Sequence, residues 1–233
     1  MKLIGKFFSN FLLFFCMIAA GYMYREIEEI KALQNQYESI LSVYENYIIS
    51  VENQIKEVNE SISFEQKRQA KIKKIKLIVA DTIKREKYAS HLSASELNVF
   101  AAAVAEYAEA FSVPVSLVLA VARKESQFNP KAVSVMYAQG IMQVMPETAE
   151  DCAKELRIDY YDIYSIRDNV KFGTYYLSKM LKFFDGNKSM AIKAYNAGPS
   201  SIEKNFPLSE ETVDYHLFVS AWQREYELKT DKW

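Results

Sequence analysis

Apolar and polar positions follow three different patterns along this chain. From Phe7 to Tyr24 they scarcely alternate: FFSNFLLFFCMIAAGYMY is almost entirely apolar and carries no charge. Such a run predicts a membrane-spanning helix, for which about 20 residues are usual and about 17 suffice. Lys2 and Lys6 precede it, whereas Arg25 is followed by Glu26, Glu28 and Glu29. The positive-inside rule then leaves the N-terminus in the cytoplasm and sends the remainder across. Ala19-Ala20-Gly21 also offers a small-residue signal-peptide cleavage site, but the helical pattern runs past it without a turn residue. An uncleaved anchor over residues 1–24 is the favoured reading.

The second pattern is a seven-residue repeat. Arg25 to Tyr88 contains no glycine or proline. Ile30, Tyr37, Tyr44, Val51, Val58, Ile72 and Val79 keep one row, and Leu33, Ile40, Tyr47 and Ile75 a second. This spacing predicts a coiled-coil-like helical stalk over residues 25–90. Gln54, Ser61, Glu65 and Arg68 interrupt the seam. One rod pairing with another chain fits, and so do two helices folding back near residues 59–64. The plainest alternative is a solitary amphipathic helix.

Beyond Ala89 the pattern changes to short helices separated by turns. Ser93 and Glu96 form a capping box. Pro114 suits a helix start, as does Pro146 with Glu147 in the first turn. Asp168 is placed to cap a helix whose Phe172, Tyr176, Leu177, Met180, Leu181 and Phe184 make an apolar face. Gly198-Pro199 ends a helix, and Ser200 with Glu203 offers a capping box for the next. No run alternates as a strand would. Residues 91–233 are therefore predicted to be an all-α domain, long enough for a core of its own.

Charge narrows the possible partners. The formal net charge is −1, with 14 Lys/Arg against 11 Asp/Glu in residues 1–92 and 15 against 19 in residues 93–233. No basic block is interleaved with aromatics, so nucleic acid is not an expected partner. Cys16 and Cys152 lie in different segments, and His91 and His216 are isolated. Neither an intramolecular disulfide nor a metal site is expected.

One glutamate stands out. Val118, Val121, Ala122 and Glu125 share a helix face, so Glu125 extends an apolar stripe, where desolvation raises a carboxyl pKa. A protonated carboxylic acid is what glycosidic cleavage needs. The chain continues Glu125-Ser126, Phe128, Pro130, Ala132 and Ser134, then Gly140-Ile141-Met142-Gln143, Met145-Pro146 and Thr148-Ala149. Further on come Asp168-Asn169 with Phe172-Gly173, then Ala194-Tyr195-Asn196-Ala197-Gly198-Pro199, then Glu211-Thr212 with Tyr215. These blocks, in this order, resemble the soluble lytic transglycosylase family of lysozyme-like enzymes. Tyr137 departs from the pattern, since the family usually carries glycine there.

The resemblance implies an all-α, lysozyme-like transglycosylase domain preceded by the transmembrane helix and the stalk. It implies cleavage of the MurNAc–GlcNAc β-1,4 bond of peptidoglycan with 1,6-anhydro-MurNAc ends, and no cofactor. Glu125 would be the general acid and then the base. Ser126, Met142, Gln143, Asn196 and Ala197 would face the glycan strand, Tyr195 would orient the acid, and Tyr215 would wall the cleft. Together with the anchor, this places the domain in the periplasm or cell-wall space, held to the inner membrane. The stalk would pair with itself or with an envelope-machine partner. The alternatives are a goose-type lysozyme-like hydrolase and a scaffold that grips glycan without cutting it.

Overall fold

The computed structural model describes residues 2–88, 92–204 and 207–230, with side chains from residue 11 onward. Among the described residues eight helices follow in order: α1 (Lys2–Glu86), α2 (Ala94–Ala110), α3 (Val115–Ser126), α4 (Pro146–Leu156), α5 (Ile166–Phe183), α6 (Lys188–Ala197), α7 (Pro199–Glu203) and α8 (Glu210–Thr230). Among the described residues the strand-like pairings are two isolated bridges, Val133 to Gln139 and Gln139 to Val144. The all-α expectation agrees with this.

The chain divides into two compact units, Met1–Phe64 and Glu65–Trp233. In the first, Phe11, Ile30, Tyr37 and Tyr44 are exposed, as are most of the large apolar side chains. Residues 59–64 are helical, so the folding-back arrangement has no turn where it needs one. Among the described residues no helix is long and apolar enough to cross a membrane. The predicted anchor begins at residues 7–10, whose side chains lie outside the described residues, as does His91.

In the second unit the boundary differs from the one the composition suggests. The seven-residue repeat places residues 65–88 in the stalk, yet Ile72, Ile75, Ile78 and Val79 are buried in the main core with Phe100, Leu117, Val118 and Tyr226. The buried Thr82 hydroxyl donates to the Ile78 carbonyl at 2.8 Å, and the Tyr226 hydroxyl donates to Thr82 at 3.3 Å. The physical reason is periodicity: 72, 75, 79 and 82 lie on one helical face, and the domain itself covers that face.

Around this core α3 packs on α8 and α2, α5 on α2, α4 and α6, and α6 on α8. Every residue from Leu117 to Ala122 is fully buried, which makes α3 the central helix. Local signals account for most helix starts. Ser93 and Glu96 make the expected capping box, and Pro146 opens α4. Three expectations shift. Pro114 is the residue before α3. Ser165, not Asp168, caps α5, accepting from the Asp168 N–H. Ser200 lies within α7, which begins directly from Gly198 with no side-chain cap. Cys152 is 1% exposed, and burial pushes its thiol up to about 12, as befits a core residue.

Candidate active site

Glu125 sits in the last turn of α3. The next residues turn sharply: Gln127 and Phe128 take left-handed φ of 54° and 65°, and the Gln127 N–H closes the helix on the Arg123 carbonyl at 3.0 Å. Phe128 is fully buried, its ring edge-on to Phe100 with centroids 5.9 Å apart. That anchor fixes where α3 stops and therefore where the carboxylate lies. Lys124, the adjacent cation, places its ammonium 4.9 Å from the centre of the Phe218 ring.

Burial pushes the Glu125 carboxyl up to about 7. The Tyr215 hydrogen bond and Lys124 oppose the rise, and Glu211 adds to it. Desolvation wins because an ionised carboxylate taken from water loses more than one phenol and a neighbouring ammonium return. The Tyr215 hydroxyl donates to Glu125 Oε1 at 2.6 Å. Burial and the Glu125 charge hold the Tyr215 phenol well above its usual range, so it remains a proton donor. The expected orienting tyrosine was Tyr195. Its hydroxyl instead donates to the Met142 carbonyl at 2.9 Å, so the direct contact on the acid belongs to Tyr215.

The loop between α3 and α4 is fastened from several sides. Ser126 Oγ lies 2.7 Å from the Ile141 carbonyl and 3.2 Å from that of Ala122, tying the loop to the end of α3. Gln143 Nε2 donates to the Ala132 and Gly140 carbonyls at 3.0 and 2.9 Å. Met142 is fully buried, and Gly173 makes room for it: a Cβ there would lie 2.7 Å from Met142 Cβ.

Sequence reasoning missed the centre of this fastening. Asn169 is 1% exposed. Its Nδ2 donates to the Gln139 and Ile163 carbonyls at 2.8 and 3.0 Å, and its Oδ1 accepts from the Met142 N–H at 2.8 Å. Gly140, at φ +80°, faces it so closely that a Cβ would meet Asn169 Nδ2 at 2.3 Å. The signal was the Asp168-Asn169 pair in the α5 block, read there only as a helix start.

The third block braces the helix that carries Tyr215. Asn196 Oδ1 accepts from the Thr212 hydroxyl at 2.9 Å, joining α6 to α8 one turn before Tyr215. Ala197 closes α6. The Tyr195 phenol is held well above its usual range by burial, with the Glu125 charge adding to the rise. Glu125, Ser126, Met142, Tyr195 and Tyr215 are thus linked through direct contacts and the loop. Gln143 supports that loop, and Asn196 braces the helix carrying Tyr215. Glu147 is exposed at the start of α4. Among the described residues no three His, Cys, Asp or Glu side chains converge as a metal site would require.

Arg123, one turn before the site's end of α3, is a further residue that the motifs do not mark. Its side chain is 2% exposed and pairs with Glu86 at 2.9 Å and Glu225 at 3.3 Å. Its guanidinium lies 3.9 Å from the centre of the Trp222 ring. A buried cation must be paired, and here the pairing pins the end of α1 and helix α8 to the helix that carries the acid.

The Transglycosylase SLT domain family model matches residues 102–218, half of the chain. The soluble lytic murein transglycosylase of Escherichia coli K12 is 34% identical over 119 residues, covering 49% of this chain and 18% of that protein. The membrane-bound lytic murein transglycosylase C of Haemophilus influenzae is 30% identical over 152 residues, 54% of this chain and 43% of that one. Among solved structures, the lytic transglycosylase Slt of Pseudomonas aeruginosa, an inactive mutant, superposes with a TM-score of 0.53 at 26% identity, over 56% of this chain and 24% of its own. The 70 kDa soluble lytic transglycosylase of Escherichia coli gives 0.51 at 29% identity, over 54% and 24%. The chain thus spans less than half the length of these relatives. The matched segment contains Glu125, Tyr195 and Tyr215 on the elements that bring them together, and the chain belongs to the transglycosylase SLT domain family.

Proposed function

We infer that this chain is a membrane-tethered lytic transglycosylase acting on peptidoglycan glycan strands. The observation that carries the reading is Glu125: a single carboxyl held near neutral by burial, against a phenol that stays protonated, in a chain of this family. A carboxyl with a pKa near 7 is partly protonated at neutral pH, as a general acid must be. It protonates the oxygen leaving the MurNAc anomeric carbon, and the C1–O bond to that oxygen breaks. The resulting carboxylate takes the proton of the same sugar's 6-hydroxyl as O6 bonds to C1. The ring closes as the 1,6-anhydro form and Glu125 regains its proton. The nucleophile is already part of the substrate, so proximity replaces a positioned water and a second carboxylate.

Tyr215 is the orienting phenol in this scheme. Tyr195 acts through the Met142 carbonyl, and Ser126 and Gln143 keep the loop over the site. Asn196 and Ala197 line the remainder of the glycan path, and the buried Met142 supports it from beneath. The uncharged run Phe7–Tyr24 supports an inner-membrane anchor with the domain in the periplasm or cell-wall space.

The test is mass spectrometry of muropeptides released from purified peptidoglycan by the full chain, with Glu125→Gln alongside. Anhydro-ended fragments from the parent are expected, falling roughly 10²–10⁴-fold in the variant, the usual contribution of a general acid–base group. Reducing ends would identify a lysozyme-type hydrolase. Sacculus binding without release by either protein would identify a gripping scaffold. Full activity of the variant would remove the mechanism.

A further inference from the structure

The geometry of the first unit points to a partner, and the charges beside its apolar face identify it. Leu41, Tyr44, Ile48, Val51, Ile55, Val58 and Ile62 follow one another in alternating steps of three and four, all apolar. The same steps run back through Tyr37, Ile30 and Ile27, with Gln34 the one polar member. This seam shares its Tyr44 row with the repeat read first. It leaves the Leu33 row, which runs into Gln54 and Ser61, for the row that stays apolar. Helix α1 is continuous over the whole stretch. Nine of the ten apolar seam side chains are 46–67% exposed. The seam stops at Ile62: Glu65 and Gln69 take the next two positions, where the second unit begins.

We propose that residues 27–62 form a parallel coiled coil of three or more copies of this chain. Three observations argue for it. The first is area. Two tyrosines bury about 150–250 Å² each and eight aliphatic side chains about 60–120 Å² each. Together these reach the roughly 800 Å² per partner of a stable interface. The second is charge. One flank of the seam carries Glu38, Glu45 and Glu52, and the other carries Leu33, Ile40, Tyr47, Gln54 and Ser61. Antiparallel helices would set the glutamates of two copies against each other. Parallel helices set them against the uncharged flank, so charge selects the parallel arrangement.

The third is side-chain shape. Ile48, Ile55 and Ile62 occupy one core position and Val51 and Val58 the other, with no leucine at the position where dimers favour it. β-Branched residues at both positions shift the preference to three or four strands, and the apolar flank at Leu33, Ile40 and Tyr47 widens the face for a further neighbour. Gln34, a lone polar residue within the seam, fixes the register. The assembly is independent of the chemistry at Glu125 and forms whether or not that residue cuts glycan.

The test is the mass of the full chain in a mild detergent by light scattering, with the detergent contribution subtracted. Three or four protomer masses are expected, falling to one in the Ile48→Asn/Ile55→Asn variant and unchanged in Asn46→Asp, which lies opposite the seam. Circular dichroism of each variant separates lost association from lost helix. Orientation is read from Val58→Cys in a Cys16→Ser background, which should form a disulfide between copies on mild oxidation, whereas Asn53→Cys should not. A monomer or dimer in the parent overturns the proposal, as does failure of Val58→Cys to cross-link. Muropeptide release is measured on the same samples, so a failure of assembly and a failure of catalysis are read separately.

Discussion

Helix α1 contains two stretches of similar composition whose side chains meet opposite fates. Between residues 27 and 62, the isoleucines, valines and tyrosines at coiled-coil spacing are exposed, apart from the half-buried Val51. Between residues 72 and 82, Ile72, Ile75, Val79 and Thr82 at the same spacing are buried. The local code is nearly identical and the difference lies in what covers it. The later stretch meets α8 through Tyr226 and Thr82, and Glu86 at its end meets the buried Arg123. Periodicity identifies the face of a helix that must be covered. It does not say whether the cover comes from the same fold or from another copy.

The strongest way to break this comparison is to cut the chain at the two boundaries. A fragment of residues 65–233 should fold and melt cooperatively. A fragment of residues 91–233 loses four buried aliphatic side chains, worth roughly 1.5–3 kcal/mol each, and leaves Arg123 without Glu86. That loss approaches the whole stability of a domain, so the shorter fragment should be unfolded or molten by near-ultraviolet circular dichroism. Equal cooperative melting of both fragments would mean that residues 65–88 are an accessory and not core.

A single substitution sharpens the same contrast. Ile75 is fully buried and Ile55 is 55% exposed. Ile75→Ala should lower the domain's unfolding free energy by about 2–5 kcal/mol. Ile55→Ala, measured on the same transition, should change it by less than about 0.5 kcal/mol. Urea denaturation followed by Trp222 fluorescence reads both. Similar losses would show that the two stretches belong to one cooperative unit.

Much of this was legible in the sequence, and the rest was not, for physical reasons. The all-α class, the capping box at Ser93 and the raised acid at Glu125 follow from local rules that involve few neighbours. The α3–α4 loop was legible as a motif but not as a mechanism. Ser126 and Gln143 read as substrate contacts, whereas their side-chain donors are used on backbone carbonyls of the loop. Asn169 escaped because its three partners lie 6, 27 and 30 residues away. Arg123 escaped because a cation two residues before the acid reads as a solvated helix end until Glu86, Glu225 and Trp222 arrive from distant segments. Position in the chain announces a cap, but only the fold announces what is buried beside it.

Covering also sets the titration of Glu125. Its carboxyl titrates near 4.5 in the unfolded chain and at about 7 in the folded one. Across that window the folded form keeps a proton that the unfolded form has released. Stability is therefore fully present below about 4.5, falls as pH rises through about 7, and levels off above. Glu125→Gln removes this dependence. At pH 8 it should gain at most about 3 kcal/mol over the parent, less what the Tyr215 hydrogen bond contributes, with little change at pH 4. Denaturation at the two pH values checks this, and identical pH profiles for parent and variant would place the proton elsewhere. The parent's kcat/KM should fall with rising pH above about 7, because the first step uses the protonated acid.

The smallest effect comes where nothing covers the side chain at all. Tyr137 is 72% exposed yet holds a left-handed φ of 64°, at the position where the motif resemblance leads one to expect glycine. The turn is set by Ser134, whose Oγ accepts from the Met136 and Ala138 N–H groups at 3.2 and 3.0 Å. The backbone angle is thus imposed by the turn while the ring hangs in solvent. A β-carbon in this conformation costs about 1–2 kcal/mol, and glycine returns part of that through its greater freedom when unfolded. Tyr137→Gly should therefore stabilise the domain by roughly 0.5–1 kcal/mol, and Tyr137→Ala, which keeps the β-carbon, should not. Destabilisation by the glycine would show that the exposed ring is held against the loop strongly enough to outweigh its own backbone strain.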